Sequence, residues 1–457
     1  MMKLSEAAGV LGGRMAGADV EFMAVSTDTR KISQGDLFVA LHGEHFDGAN
    51  FVLQALQAGA AAAVVNEESG FRIQDSKMPI LLVQDTRLAL GKLAAYWRRQ
   101  FEITLVAITG SNGKTTVKEM TAAILRAAAG SEEAVLATRG NLNNDIGMPL
   151  TLLQLNEQHR YAVIEMGMNH FGEIDYLTRI ALPQVALINN ASGAHLEGLG
   201  SVEGVARAKG EIFNGLQSCG TAIINADDDF APLWRTLAGA HSMIEFGLNG
   251  ASDVNGTWRP HESGLLLNAK TPKGDFSVVM QVPGEHNARN ALAATAVAIA
   301  LNLSLESIVF ALERFTGVAG RMQRKQGRNG AVVIDDTYNA NPASMHAAIK
   351  VLAETGGVRV LVLGDMGEMG ENATEFHAEI GTIARTLGIG KLYALGEMSR
   401  IAVREFGSNA QHYERVEELQ QALEKELHAG TTVLIKGSRF MKMERVVEFC
   451  VDKGKKE

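Results

Sequence analysis

The chain is poor in cysteine and proline and has no long apolar run. Its two cysteines, Cys219 and Cys450, exclude a disulfide framework. No close Cys/His cluster offers a zinc site. Eight prolines beside 48 glycines in 457 residues exclude a collagenous or proline-rich chain, and point to tight βα turns and close backbone approaches. The longest apolar stretch, residues 292–301, is about half of the ~20 residues that cross a bilayer. The opening MMKLSEAAGVLGG lacks an apolar signal core with a basic flank, so a cytoplasmic location without stable membrane insertion is expected. Basic residues are also in deficit: 43 Lys and Arg against 52 Asp and Glu leave a net charge of −9. That disfavours a nonspecific nucleic-acid binder, which needs a basic face.

What is present is ordinary globular usage, 46% hydrophobic and 21% charged, over a length that suits two to four domains. The pattern predicts an α/β protein of three domains. Residues 1–85 mix short strands and helices. Residues 86–316 alternate in βα fashion around continuously apolar strands (TLVAITG, YAVIEMG, QVALINN, GTAIINA), as in a parallel sheet covered by helices. Residues 317–457 open with GVAGRMQ, read as a linker with a glycine hinge at 317–320. They continue as a second doubly wound, Rossmann-like unit.

The strongest local signal is TGSNGKTT, Thr109 to Thr116, between a predicted strand and a predicted helix. Gly110 and Gly113 let backbone N–H groups of Ser111 and Asn112 close around an anion, and the helix N-terminus adds its dipole. Lys114 can neutralise β/γ-phosphate charge, while the Thr115 hydroxyl, followed by Thr116, can hold Mg²⁺. The loop is a compact variant: the general phosphate-loop pattern would place a glycine where Ile108 stands. Three residues follow in order. Glu165 ends a strand, His195 lies in a glycine-rich loop, and Lys209 lies on a predicted helix. Taken singly, they read as a strand-end surface acid, a loop histidine and a solvated lysine.

Taken together, TGSNGKTT, TRGNLNNDIGMPLTLL, IEMGMNHFGEI, NNASGAHLEGLGS, ARAKGEIF, PGEHNARNALAA, DDTYNANPASM and LIKGSR closely resemble the Mur ligase family, nearest its branch that adds D-alanyl-D-alanine. The resemblance implies an N-terminal domain for a uridine nucleotide, a central ATPase domain and a C-terminal domain on the dipeptide side. It implies ATP and two Mg²⁺ ions, one on Thr115 and Glu165, the other on His195 and a carbamylated Lys209. It places Lys114, Lys209, His195 and Arg321 in catalysis. Asn287 and Asn290 match adenine-side contacts, Arg321 a phosphate contact, and Asp336 with Tyr338 the ribose side. Thr27, Asp28, Thr29 and Arg30 match the uridine-diphosphate turn, and Phe46, Asp47 and Gly48 the uracil-side loop. Asn141, Asn143 and Asn144 match residues facing the nucleotide-peptide. Asn339, Asn341, Ser344, Lys436, Ser438 and Arg439 are candidates for the peptide and dipeptide side.

The implied partners are UDP-N-acetylmuramoyl-tripeptide, D-alanyl-D-alanine and ATP, acting on a monomer. The implied chemistry joins a carboxylate to an amine through an acyl phosphate, which requires no enzyme nucleophile. Two other readings are a ligase of the same superfamily with another acceptor, such as glutamate, and a nucleotide-gated assembly protein that forms no bond.

Overall fold

The computed structural model describes residues 1–43, 46–69, 78–193, 196–367 and 369–452. Three large sheets follow one another along the chain, and the α/β class expected above is what is found. The first has five strands. Strands 24–26, 36–39, 62–66 and 80–83 run parallel, and 14–16 closes one edge antiparallel. Helix Thr86–Arg98 follows, capped by the Asp85 carboxylate, which accepts from the Arg87 and Leu88 amides at 2.7 and 2.9 Å. Its Leu90 and Leu93 share one core with Leu37 of the first sheet and Leu105 of the second. The Trp97 indole donates to the Leu155 carbonyl at 3.0 Å, a further tie of this helix to the elements around the second sheet.

The second sheet has nine strands, in the order 135–137, 161–165, 104–109, 185–188, 221–225, 242–247, 254–261, 264–271, 274–280. Strand 104–109 sits between 161–165 and 185–188, parallel to both. The chain leaves it towards one side of the sheet and returns to the other, so a switch point lies at its carboxyl end, where open α/β sheets place ligands. Helix Lys114–Ala129 covers one face. On the face at helical spacing, Val117, Met120 and Ile124 are buried, and Ala127 is half-buried.

The parallel βα pattern expected for all of 86–316 stops at residue 254. Strands 254–261, 264–271 and 274–280 are antiparallel hairpins. They alternate buried and wetter positions, with Leu265, Leu267 and Ala269 facing inward, as a sheet with one face on the core does.

The third sheet has six strands, 323–326, 332–336, 431–436, 358–364, 391–395 and 410–413, parallel except for the first. Part of what reads as a linker is thus the edge strand Gln323–Gln326. Separate apolar clusters line the two faces of this sheet. Among the described residues, no helix is long and apolar enough to cross a membrane.

Candidate active site

Strand Thr104–Thr109 delivers the glycine loop to the switch point. Gly113 adopts φ +79°, and a Cβ there would sit 2.5 Å from Asn290 Oδ1 and 2.6 Å from Asn189 Nδ2, so both conformation and space demand glycine. Helix Lys114–Ala129 starts on it. Lys114 folds back, its Nζ donating to the Gly110 carbonyl at 2.7 Å and to Ser111 at 3.4 Å. Burial pushes its pKa down, the Glu165 carboxylate works against that, and the Arg321 guanidinium adds to it. Lys114 thus feels the like charge of Arg321, some 200 positions away, and an anion bound beside both would relieve that repulsion.

Glu165 ends its strand only 2% exposed, not at a surface. Its Oε2 accepts from the Thr115 hydroxyl at 2.9 Å and its Oε1 from the Asn143 amide at 2.8 Å. A carboxylate and a hydroxyl are hard oxygen donors. Such a partial set suits Mg²⁺, which commonly takes one or two carboxylates and completes its octahedron with phosphate and water.

Asn112 is the hub of an amide web. Its carbonyl accepts from Asn189 and Asn190 at 2.9 and 3.0 Å, its N–H donates to Asn190 Oδ1 at 2.8 Å, and its own amide donates to Ser192 at 3.0 Å. Its Oδ1 accepts from Asn341 of the third sheet's domain at 2.9 Å. Asn341 also caps helix Pro342–Ala353, in a reciprocal box with Ser344. Asn290 and Asn287 extend the web from helix Glu285–Ala300: Asn189 donates to Asn290 at 3.1 Å, and Asn290 to Asn287 at 3.4 Å.

These groups line a cavity of about 820 Å³ between the second and third sheets. From the phosphate-loop side come Ser111, Asn112, Gly113, Lys114, Thr116, Asn143, Asn144, Glu165, Asn287 and Asn290. The third domain adds Arg321, Asp336, Tyr338, Asn339, Asn341, Ser344, Lys436, Ser438 and Arg439. Lys436 bridges Asp336 Oδ2 at 2.6 Å and the Asn339 carbonyl at 2.8 Å. Arg321 stacks on the Tyr338 ring, Cζ 4.1 Å from its centroid, with Arg439 at 5.9 Å. Gly320 turns there at φ +72°, since a Cβ would press on the Tyr338 backbone. Among the described residues, Arg321 Nε and Asn189 Oδ1 are buried without a hydrogen-bond partner. Such groups are costly unless a ligand or water meets them.

Lys209 is 2% exposed on helix Val202–Gly210, so the solvated reading fails. Burial drives its pKa well below the usual lysine range, and repulsion from Lys114 pushes the same way. It lies near enough to Lys114 to feel its charge and does not line the cavity.

Other predicted residues stand apart from the cavity. Thr27, Asp28 and Thr29, half-buried, and the exposed Arg30 form a turn beside the first sheet, where Arg30 holds Asp28 at 2.8 Å and lowers its pKa to about 2. Asp47 caps the short helix beginning at Gly48. Asn141 is exposed. His195 and the Phe46 side chain lie outside the described residues.

Sequence reasoning passed over Asn189, Asn190, His286 and Arg289, all of which line the cavity. Each sits inside or beside a quoted motif, NNASGAH or GEHNARN, and that adjacency was the available signal. His286 is held down to about 4, chiefly by burial; Asp336 and Glu285 oppose the shift, and Lys436 and Arg289 favour it. A pKa below the unfolded value means that the unfolded chain binds the extra proton first. Stability from this group is complete above about 6.5 and is lost as pH falls towards about 4. The melting temperature should drop through that window, and His286→Gln should flatten the slope there. An unchanged slope would exclude His286 as its source.

Three family models match in chain order: the Mur ligase family catalytic domain over residues 21–98, the Mur ligase middle domain over 108–298 and the Mur ligase glutamate ligase domain over 320–439. The chain belongs to the Mur ligase family. It is 42% identical over 455 residues to UDP-N-acetylmuramoyl-tripeptide–D-alanyl-D-alanine ligase of Escherichia coli (strain K12), covering 99% of this chain and 98% of that one. Among solved Mur ligases, MurF from Acinetobacter baumannii superposes with a TM-score of 0.89 at 37% identity, over 98% of each chain. MurF ligase from Thermotoga maritima, solved in complex with ADP, gives 0.81 at 29% identity, over 93% of this chain and 96% of that one.

Proposed function

We propose that this Mur ligase adds D-alanyl-D-alanine to UDP-N-acetylmuramoyl-tripeptide at the expense of ATP, in the cytoplasm, for peptidoglycan synthesis. The observation that carries the reading is the junction itself. One cavity joins a phosphate loop from the second sheet to basic and amide side chains of the third, in a chain that matches such a ligase along its whole length. The three domains would divide the work, 1–85 for the uridine nucleotide, 86–316 for ATP and 317–457 for the dipeptide.

A carboxylate oxygen of the tripeptide attacks the γ-phosphorus, the bond to the ADP oxygen breaks, and an acyl phosphate forms. The dipeptide amine then attacks the acyl carbon. The tetrahedral intermediate expels phosphate, leaving an amide and one released proton. Two anions must meet in the first step. Lys114 leaves the Gly110 and Ser111 carbonyls for the phosphates, and Arg321 brings its unpaired Nε to the same charge. Asn143 and Thr115 orient Glu165, which with Thr115 would hold one Mg²⁺. His195 and Lys209 would hold a second. Bound Mg²⁺ supplies charge neutralisation between the attacking and transferring groups. A lysine ammonium would be repelled by a cation. The depressed pKa of Lys209 favours the neutral amine, which adds CO₂, loses a proton and becomes an anionic carbamate oxygen donor. Burial by the third domain shields the acyl phosphate from water.

The test is phosphate release with the nucleotide-tripeptide, ATP and D-alanyl-D-alanine. Turnover should require the dipeptide, and glutamate should not replace it. ATP hydrolysis indifferent to the dipeptide would favour a nucleotide-gated switch; turnover with glutamate would favour another acceptor.

A further inference from the structure

We infer that Lys118 is a positioning residue for this reaction, clamping the root of the 139–144 loop so that Glu165 is held where Mg²⁺ is needed; the inference rests on the ligase reading above. Lys118 lies one helical turn beyond Thr115 on helix Lys114–Ala129, and the two share a face. Its side chain is 1% exposed, yet it carries an ammonium, paired with Glu119 at 2.8 Å. A lysine so deeply buried is costly and calls for a compensating task. Its Nζ donates to the backbone carbonyl of Thr138, itself buried.

Thr138 is where strand 135–137 leaves the sheet. Its N–H still reaches the Val163 carbonyl at 3.1 Å, and its hydroxyl accepts from the Glu165 N–H at 3.0 Å. The loop that begins there ends at Asn143, whose amide donates to Glu165 Oε1 and whose carbonyl accepts from the Gly167 N–H at 2.9 Å. Glu165 is therefore gripped at its backbone through Thr138, and at its carboxylate through Thr115 and Asn143. Among the described residues, Lys118 is the one charged side chain that bonds Thr138, and it ties the phosphate-loop helix to the start of that frame. It touches no reacting atom, and it acts through Thr138 and Asn143.

The experiment measures ADP binding by calorimetry with and without Mg²⁺, and turnover against Mg²⁺ concentration, on the full chain and on Lys118→Met and Thr138→Val. Direct partners of metal ligands are worth roughly 10–100-fold in metal affinity; Lys118 acts one contact further out, so Lys118→Met should raise the Mg²⁺ concentration at half-saturation about five- to tenfold. Mg²⁺-free ADP affinity should stay within twofold. Thr138→Val should shift Mg²⁺ dependence the same way, and the double variant should add little. A folded Lys118→Met protein with parental Mg²⁺ dependence and only a lower melting temperature overturns the inference. So does failure of both variants to fold, which would make the contact purely structural. If the parent shows no dipeptide-dependent turnover, the ligase reading fails, while the Mg²⁺ dependence of ADP binding still tests the clamp.

Discussion

Lys114→Ala should lower kcat by about 10³-fold or more, since removing a single preorganised donor to developing charge already costs 10²–10³ and this one also carries a full charge. The Lys114 ammonium rests on the Gly110 and Ser111 carbonyls. Those contacts are weak recompense for burial, which lowers its pKa, and for the repulsion of Arg321. The folded state thus bears a cost that an incoming phosphate removes. Two effects of opposite sign follow. Activity should collapse because the carboxylate and γ-phosphate approach without their nearest cation. Stability without ligand should hold or rise, because a poorly compensated, half-buried charge is gone. Phosphate release and thermal melting on one preparation separate them. A large activity loss with a large drop in melting temperature would instead mean that Lys114 mainly supports the fold. Lys114→Met, which keeps most of the volume, guards against a cavity effect.

The contrast between Lys114 and Asn189 explains what can be read from a sequence here. Lys114 is legible because its partners are local: strand, glycine turn and helix N-terminus lie within eight residues, and the chemistry of phosphate binding needs that order. Asn189 ends an apolar strand, and its sequence context is equally that of a turn. Its task arises only when strand 185–188 lies beside 104–109 and brings its amide onto the Asn112 carbonyl. The Asn341 contact to Asn112 spans 229 positions, a separation that no local spacing encodes. The same holds for Lys118, which reads as one more residue of a helix. The hairpins after residue 254 escaped for another reason: their half-wet alternation lacks the continuous apolar run that marks parallel strands. Family resemblance bridged much of the distance gap, because it carries tertiary neighbours with the motif. It could not say that Lys209 is buried within reach of the Lys114 charge, and on that the chemistry turns.

For Lys209→Ala, nucleotide binding should survive while turnover falls by about 10²-fold or more, the range for lost metal-site support. Lys209 lies outside the cavity lining, so ATP loses no direct contact. What goes is the donor that the carbamate would present. Small carboxylates such as acetate or formate supply the same anionic oxygens, and they should restore part of the rate in Lys209→Ala, where the deletion leaves room, but not in Lys209→Met. The environment gives the reason for a carbamate here. Burial, and after it the Lys114 charge, push the Lys209 pKa well down and so favour the neutral amine, the form that attacks CO₂. Once formed, the carbamate is an anion beside Lys114, so the repulsion that favoured the free amine becomes an attraction that holds the product. Depleting bicarbonate should therefore slow the parent enzyme and leave Lys209→Ala unaffected. A near-normal rate in Lys209→Ala, or a parent indifferent to bicarbonate and a variant indifferent to carboxylates, would leave Lys209 as a buried neutral lysine, with no carbamate in the reaction.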